Sequence, residues 1–208
     1  MPGFEVIDNK ELLEIETIFN EGGGILFRHG FESIRKDSYK VKTFEESFAK
    51  YHNINFGLAL TSGTAALRVA LASLGITKGD EVITQAFTFV ATVEAIVESG
   101  ATPVCANIDE TLNLDPYEIE KLITPRTKAL IAVHMLGTPC KIDLIKEICD
   151  KNNIILIEDT AWGCGGSLKS KPLGTWGSVG AFSFDFAKTL TTGEGGMLIT
   201  DNKDIYLK

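Results

Sequence analysis

Three short stretches of the chain carry the residue types that a small-molecule site needs. Thr61-Ser62-Gly63-Thr64-Ala65-Ala66-Leu67 follows the apolar run FGLAL, which reads as a strand, and opens a run that reads as a helix. Ser62, Gly63 and Thr64 therefore sit at a helix N-terminus, where unpaired backbone N–H groups and the positive end of the helix dipole favour a phosphate. The same spacing also suits ordinary N-capping. Ile157-Glu158-Asp159 closes a second apolar run, NIILIED. A carboxylate at the carboxyl end of a parallel strand faces the ligand crevice, so Asp159 is placed to hold a protonated ring nitrogen, although an isolated Asp is more often a solvated loop acid. The third stretch is Ser183-Phe184-Asp185-Phe186-Ala187-Lys188, followed by Gly193-Glu194-Gly195-Gly196. A lysine at a strand end in a weakly charged, glycine-rich neighbourhood loses its proton more easily and can act as an imine-forming nucleophile. Ser183 alternates with Phe182 and Phe184, so it points to the other face and can donate to a phosphate. A lone lysine is ordinarily a surface charge, but the combination supplies a phosphate cup, a counter-charge for a ring nitrogen and an amine for an aldehyde. Those are the three anchors of a pyridoxal cofactor.

The elements that must position these residues follow from periodicity. From Phe56 onward, short β-branched runs alternate with helical segments, the pattern of βαβ units and a mainly parallel sheet. Strands are expected at FGLALT, EVITQAF, TPVCANI, KALIAVHML, NIILIEDT, GAFSFDF and GMLITD, and helices at Ala65–Leu74, Phe89–Glu98, Pro116–Leu122 and Asp143–Asn152. The last two strands are joined by a link too short for a helical crossover, so they pair antiparallel. The fold class is α/β, a three-layer sandwich with a mainly parallel sheet. Residues 1–50 read as an N-terminal arm. Within it, residues 9–20 form a helix with Leu12, Leu13, Ile15 and Ile18 or Phe19 along one stripe, Gly22–Gly24 break it, the basic stretch ILFRHGFESIRKDSYK is irregular, and a second helix spans Val41–Tyr51. Residues 51–208 form the large, ligand-binding domain.

Composition narrows the partner. The 208 residues are 44% apolar and 23% charged, with 20 glycines, as in a turn-rich globular protein. A net charge of -8 without a basic block argues against nucleic acid or an anionic membrane and for a small molecule. Cys105, Cys140, Cys149 and Cys164 show neither zinc-ligand spacing nor a disulfide framework, and no signal peptide or membrane-spanning run is present, which together read as a cytoplasmic protein.

The chain resembles the DegT/DnrJ/StrS family of sugar aminotransferases, fold-type-I enzymes dependent on pyridoxal 5'-phosphate (PLP). The resemblance runs over essentially residues 9–208 through KVKTFEESFAKY, ALTSGTAALRVAL, GDEVITQAFTFVATVEAI, GATPVCANIDETLNLDP, TKALIAVHMLGTPCKID, LIEDTAW, LGTWGSVGAFSFDFAK and TTGEGGMLIT. It implies that Lys188 forms the Schiff base and shuttles the proton, and that Asp159 pairs with the pyridinium nitrogen. It further implies that Ser62, Gly63, Thr64 and Ser183 hold the phosphate, and that Phe89, with Phe87 as the alternative, stacks on the ring. Trp162 stands where many members carry Gln or His, which puts the usual hydrogen bond to the cofactor's phenolic oxygen in question. Asp185 stands where many read His. The implied reaction moves an amino group from an amino acid, glutamate, to a keto or aldehydo sugar, either nucleotide-linked or of the 8-amino-octulosonate type, for cell-surface polysaccharide such as lipopolysaccharide. LFRHGF, VHMLG and SFDFAK lean toward the latter type. A homodimer with its site at the interface is implied as well.

Members of the family are about twice as long, so a C-terminal small domain is expected to be absent from these residues. The rival readings are a non-catalytic PLP-binding homologue and a PLP- or PMP-dependent sugar dehydratase. Lys188, where the dehydratases carry His, speaks against the dehydratase.

Overall fold

The structure is a computed structural model that describes residues 2–26, 28, 30–36 and 38–208. Phe27 and His29 of LFRHGF, and Asp37 of the basic stretch, lie outside the described residues. The centre of the fold is a seven-stranded sheet built from β1 (Phe56–Leu60), β2 (Glu81–Gln85), β3 (Thr102–Ala106), β4 (Thr127–Val133), β5 (Ile155–Asp159), β8 (Val179–Ser183) and β9 (Gly196–Thr200). A two-residue hairpin, β6 (Ser167–Leu168) with β7 (Lys171–Pro172), stands apart from it. The strand order is β1-β9-β8-β5-β4-β2-β3. β3, β2, β4, β5 and β8 are mutually parallel. β9 runs antiparallel to both of its neighbours, β8 and β1, as the short link between the last two strands requires.

The central strands read as nearly continuous apolar runs because both faces are covered. On one face, α4 (Gly63–Ser73) and α5 (Val90–Glu98) pack Ala66, Leu67, Leu71, Ala95 and Ile96 against Val82, Ile131, Val133, Ile157 and Ala181. On the other, α6 (Pro116–Leu122) and α7 (Ile142–Lys151) pack Ile119, Ile142, Ile145 and Cys149 against Ile83, Leu130, Ala132 and Leu156. The result is the expected three-layer sandwich. Strand alternation decides the site: Ile157 and Asp159 face α4 and α5, while Leu156 and Glu158 face the opposite layer.

The N-terminal segment divides. In α1 (Asn9–Asn20) no residue is buried, and Leu12, Leu13, Ile15 and Phe19 are exposed. A capping box holds its start, with the Asp8 side chain accepting from the Lys10 N–H and Glu11 Oε2 accepting from the Asp8 N–H. After the single turn α2 (Glu32–Arg35), α3 (Lys40–Tyr51) behaves differently. Its Phe48 contacts Phe182 and Phe184 edge-on at centroid distances of 5.0 and 5.4 Å, and completes a buried cluster with Met197 and Ile199. Each such buried aromatic contributes about 1.5–3 kcal/mol of transfer free energy. α3 thus covers the β8-β9-β1 end of the sheet. The chain closes with the short α8 (Lys203–Leu207).

Four strands end two or more residues short of their expected stretches, β2 at Gln85, β3 at Ala106, β4 at Val133 and β8 at Ser183. β4 stops at Val133 because His134–Gly137 turn into a short 3-10 segment in which Leu136 is left-handed, φ 53°. β8 stops at Ser183, where its ladder with β9 ends opposite Gly196 and the chain passes into the turn 185–188. An apolar run records burial, which continues past the last ladder hydrogen bond.

Candidate functional site

At the carboxyl edge of the sheet, the N-terminus of α4 is pressed against β8 and β9. A Cβ on Gly63 would lie 2.7 Å from the Ser183 Cβ, and one on Gly196 would collide with the carbonyl of Ser62. These two positions therefore require glycine for close approach. Ser62 caps α4, its Oγ accepting from the Ala65 N–H at 3.0 Å, and its carbonyl accepts from Ala66 at 3.0 Å. The N–H groups of Gly63 and Thr64 precede the first helical hydrogen bonds, and both residues line the cavity with Ser183. A backbone cradle of this kind suits a phosphate.

Asp159 is almost fully buried. Its Oδ1 accepts from the Ala161 N–H at 3.1 Å and its Oδ2 from the Thr92 hydroxyl at 2.8 Å, and Thr92 is itself 2.9 Å from the hydroxyl of Thr88. Burial pushes the Asp159 carboxyl above its ordinary pKa, against the opposing pull of Thr92, the Ala161 amide and Lys188. The neighbouring Glu158, on the other face, is closed in. Its Oε1 accepts from the N–H groups of Trp176 (2.5 Å) and Gly177 (2.8 Å), and its Oε2 from Gly174 N–H (2.8 Å) and His134 Nε2 (3.1 Å). The other ring nitrogen, Nδ1, accepts from the Cys140 N–H at 3.3 Å, and that acceptor role fixes the His134 tautomer with its proton on Nε2. The His134 N–H in turn donates to the Asp159 carbonyl at 3.1 Å. Glu158 thus pins the loop 174–177 beneath the strand end from which Asp159 projects.

Lys188 is presented by a tight turn. The Asp185 carbonyl accepts from the Lys188 N–H at 2.9 Å, and Asp185 Oδ1 accepts from the Ala187 N–H at 3.0 Å. The Nζ sits 3.7 Å above the centre of the Trp162 ring, a cation–π contact. Burial holds the Lys188 pKa below its ordinary value, and the negative charges of Asp159 and Asp185 offset only part of that shift. From outside, the N-terminal segment braces this turn. The Gly3 N–H donates to the Lys188 carbonyl at 2.7 Å, a Cβ on Gly3 would lie 2.9 Å from the Thr189 carbonyl, and Phe4 meets Phe186 at 5.8 Å.

These groups share one cavity of about 360 Å³, within the range of small-molecule sites. Ser62, Gly63, Thr64, Phe89, Asp159, Trp162, Ser183 and Lys188 all line it. Of the two aromatic alternatives, Phe89 reaches the cavity wall and Phe87 does not. Sequence reasoning missed Thr88 and Thr92, whose i, i+4 spacing at the start of a helix was the available signal, and it missed Gly3, Met135 and the role of Glu158, which no local pattern marks. A larger groove of about 570 Å³ beside α3 and Tyr206 contains none of these residues.

Both the sequence and the fold are similar to those of known proteins. The sequence pattern of the DegT/DnrJ/EryC1/StrS aminotransferase family matches residues 32–208. GDP-perosamine synthase from Escherichia coli O157:H7 is 42% identical over 167 residues, covering 80% of this chain and 46% of that protein. The spore coat polysaccharide biosynthesis protein SpsC from Bacillus subtilis is 44% identical over 167 residues, covering 80% of this chain and 43% of that protein. The structure of NtdA from Bacillus subtilis with bound cofactor PMP superposes with a TM-score of 0.83 at 30% identity, covering 98% of this chain and 45% of that one. The chain spans about half the length of the relatives it matches.

Proposed function

The chain belongs to the DegT/DnrJ/EryC1/StrS aminotransferase family, and on that premise we propose that it forms the cofactor-binding part of a PLP-dependent aminotransferase that delivers an amino group from glutamate to a carbonyl sugar. One observation carries the reading. Gly63 and Thr64 at the start of α4, the buried Asp159 and Lys188 line a single cavity. They fit the three polar ends of PLP: the α4 N-terminus and Ser183 suit its phosphate, Asp159 its ring nitrogen, and Lys188 Nζ its aldehyde carbon. A glycine at 63 fits as well, since a side chain there would press on Ser183.

When bound, the cofactor supplies a conjugated ring that accepts the electron pair released as a proton leaves the amine-bearing carbon. The chain's own residues do the rest. The lowered pKa of Lys188 raises the fraction of neutral amine, which can attack a carbonyl and then take up and return a proton. The Trp162 ring face holds the same Nζ when it is charged. Asp159, fixed by Thr92 and Ala161, keeps a positive charge on a ring nitrogen favourable. Phe89 and Trp162 line the cavity with apolar faces. The relatives' printed names, perosamine synthesis and spore coat polysaccharide biosynthesis, support a sugar acceptor and a polysaccharide product. Action as a homodimer in the cytoplasm accords with the exposed apolar stripe of α1 and with the lack, among the described residues, of a helix long and apolar enough to cross a membrane.

The test is an absorbance spectrum of the protein with PLP, before and after glutamate, beside Lys188→Ala. A band near the visible edge that needs Lys188 and bleaches with glutamate supports both cofactor and donor. A Lys188-dependent band that glutamate leaves unchanged points to binding without turnover of that donor, and no such band in folded protein overturns the proposal.

A further inference from the structure

We infer that Thr92 is a positioning residue that holds the Asp159 carboxylate and, through Thr88, relays its charge state to the cavity wall. The observation is a continuous line of three groups. Asp159 Oδ2 lies 2.8 Å from Thr92 Oγ1, and Thr92 Oγ1 lies 2.9 Å from Thr88 Oγ1. Asp159 and Thr92 are buried, whereas Thr88 is half-buried and lines the cavity.

Hydrogen-bond bookkeeping fixes the direction of this line. A carboxylate only accepts, so while Asp159 is ionised the single Thr92 proton must point to Oδ2. Thr92 then meets Thr88 through a lone pair, the Thr88 proton points inward, and Thr88 shows the cavity an acceptor. Were Asp159 protonated through Oδ2, both hydroxyls would reverse and Thr88 would show a donor. Other groups act on Asp159 as well. The Ala161 N–H from its own loop and Lys188 on the turn after β8 favour the charged form, while His134 at the end of β4 turns its ring to Glu158. Asp185 on the Lys188 turn is the nearby acid lining the same cavity, and Glu158 faces away, closed by its own four donors. Among the described residues Thr92 is the side chain that donates directly to the Asp159 carboxyl. Deleting its hydroxyl leaves a buried oxygen without its donor, a loss that falls on the charged form.

This inference rests on the reading of Asp159 as the ring-nitrogen partner, but its test does not. In protein without added cofactor, with carboxyl-labelled aspartate followed by ¹³C NMR across pH, Thr92→Val is expected to raise the Asp159 titration midpoint and Thr92→Ser to restore it. Thr88→Val, which leaves the Thr92 donor in place, is expected to move the midpoint less than Thr92→Val. In the same variants, PLP affinity is expected to fall about tenfold for Thr92→Val and to recover for Thr92→Ser, the size of one charge-assisted hydrogen bond. An unmoved midpoint in Thr92→Val, or one that Thr92→Ser fails to restore, overturns the inference. A moved and restored midpoint in protein that binds no PLP keeps it and overturns only the cofactor reading.

Discussion

Glu158 and Asp159 are adjacent acids at the end of one strand, both buried, and they face opposite layers of the sandwich. On the α6 and α7 side, Glu158 is surrounded by four donors from the loop 174–177 and His134. On the α4 and α5 side, Asp159 has two donors and a cavity. A carboxylate presents about four lone-pair sites, so Glu158 is saturated and Asp159 retains capacity for a ligand. The difference separates a buried acid whose oxygens are all engaged from one that keeps an acceptor site beside a cavity, and residue type alone does not distinguish them.

The comparison breaks first at Glu158. Glu158→Ala strands the N–H groups of Gly174, Trp176 and Gly177 and the His134 ring without their acceptor, and should cost about 3–5 kcal/mol of stability in denaturant unfolding. Equal stability would show that the loop finds water or another partner. Next is Asp159→Asn, which keeps the shape and removes the charge. Transamination should slow roughly 10²–10³-fold, as when one preorganised electrostatic partner is lost, while the melting temperature stays level or rises. The rise follows from linkage. Burial raises the Asp159 pKa, so the folded state holds its proton more tightly, and stability falls as pH climbs through the window above the ordinary aspartate value. Asn removes that penalty.

Lys188 sharpens the same contrast with the opposite sign. Its pKa is lowered by burial, so the folded chain gives up the proton first, and this group's contribution improves as pH rises from the folded value toward the ordinary lysine value. Lys188→Met should therefore be more heat-stable than the parent at neutral pH, with the advantage shrinking in alkali, and a scan of melting temperature against pH checks it. The smallest effect belongs to the N-terminal brace. Gly3→Val should leave global stability within about 1 kcal/mol yet loosen the turn that presents Lys188, seen as faster amide hydrogen exchange over residues 188–191. Unchanged exchange there would show that the brace does not hold the lysine.

Much of this was legible beforehand because local rules and global packing agree. All seven strands of the sheet, the antiparallel final pair, and the Ser62 and Asp159 strand ends follow from alternation and turn residues. The hairpin at 167–172 was not legible, being two residues per strand, too short for any period. Nor was the split of the N-terminal segment, since α1 and α3 both carry amphipathic stripes and only the tertiary fold buries one of them.

By itself, the sequence determined the layer architecture and the kinds of group at each strand end, because periods of two and of 3.6 residues and the conformational demands of glycine act over a few neighbours. Only the tertiary structure decided what closes Glu158 off, which hydroxyl holds Asp159 and which glycine braces the lysine turn. Those are contacts between residues far apart in the chain, and Gly3, Gly63 and Gly196 sit where the approach leaves no room for a Cβ.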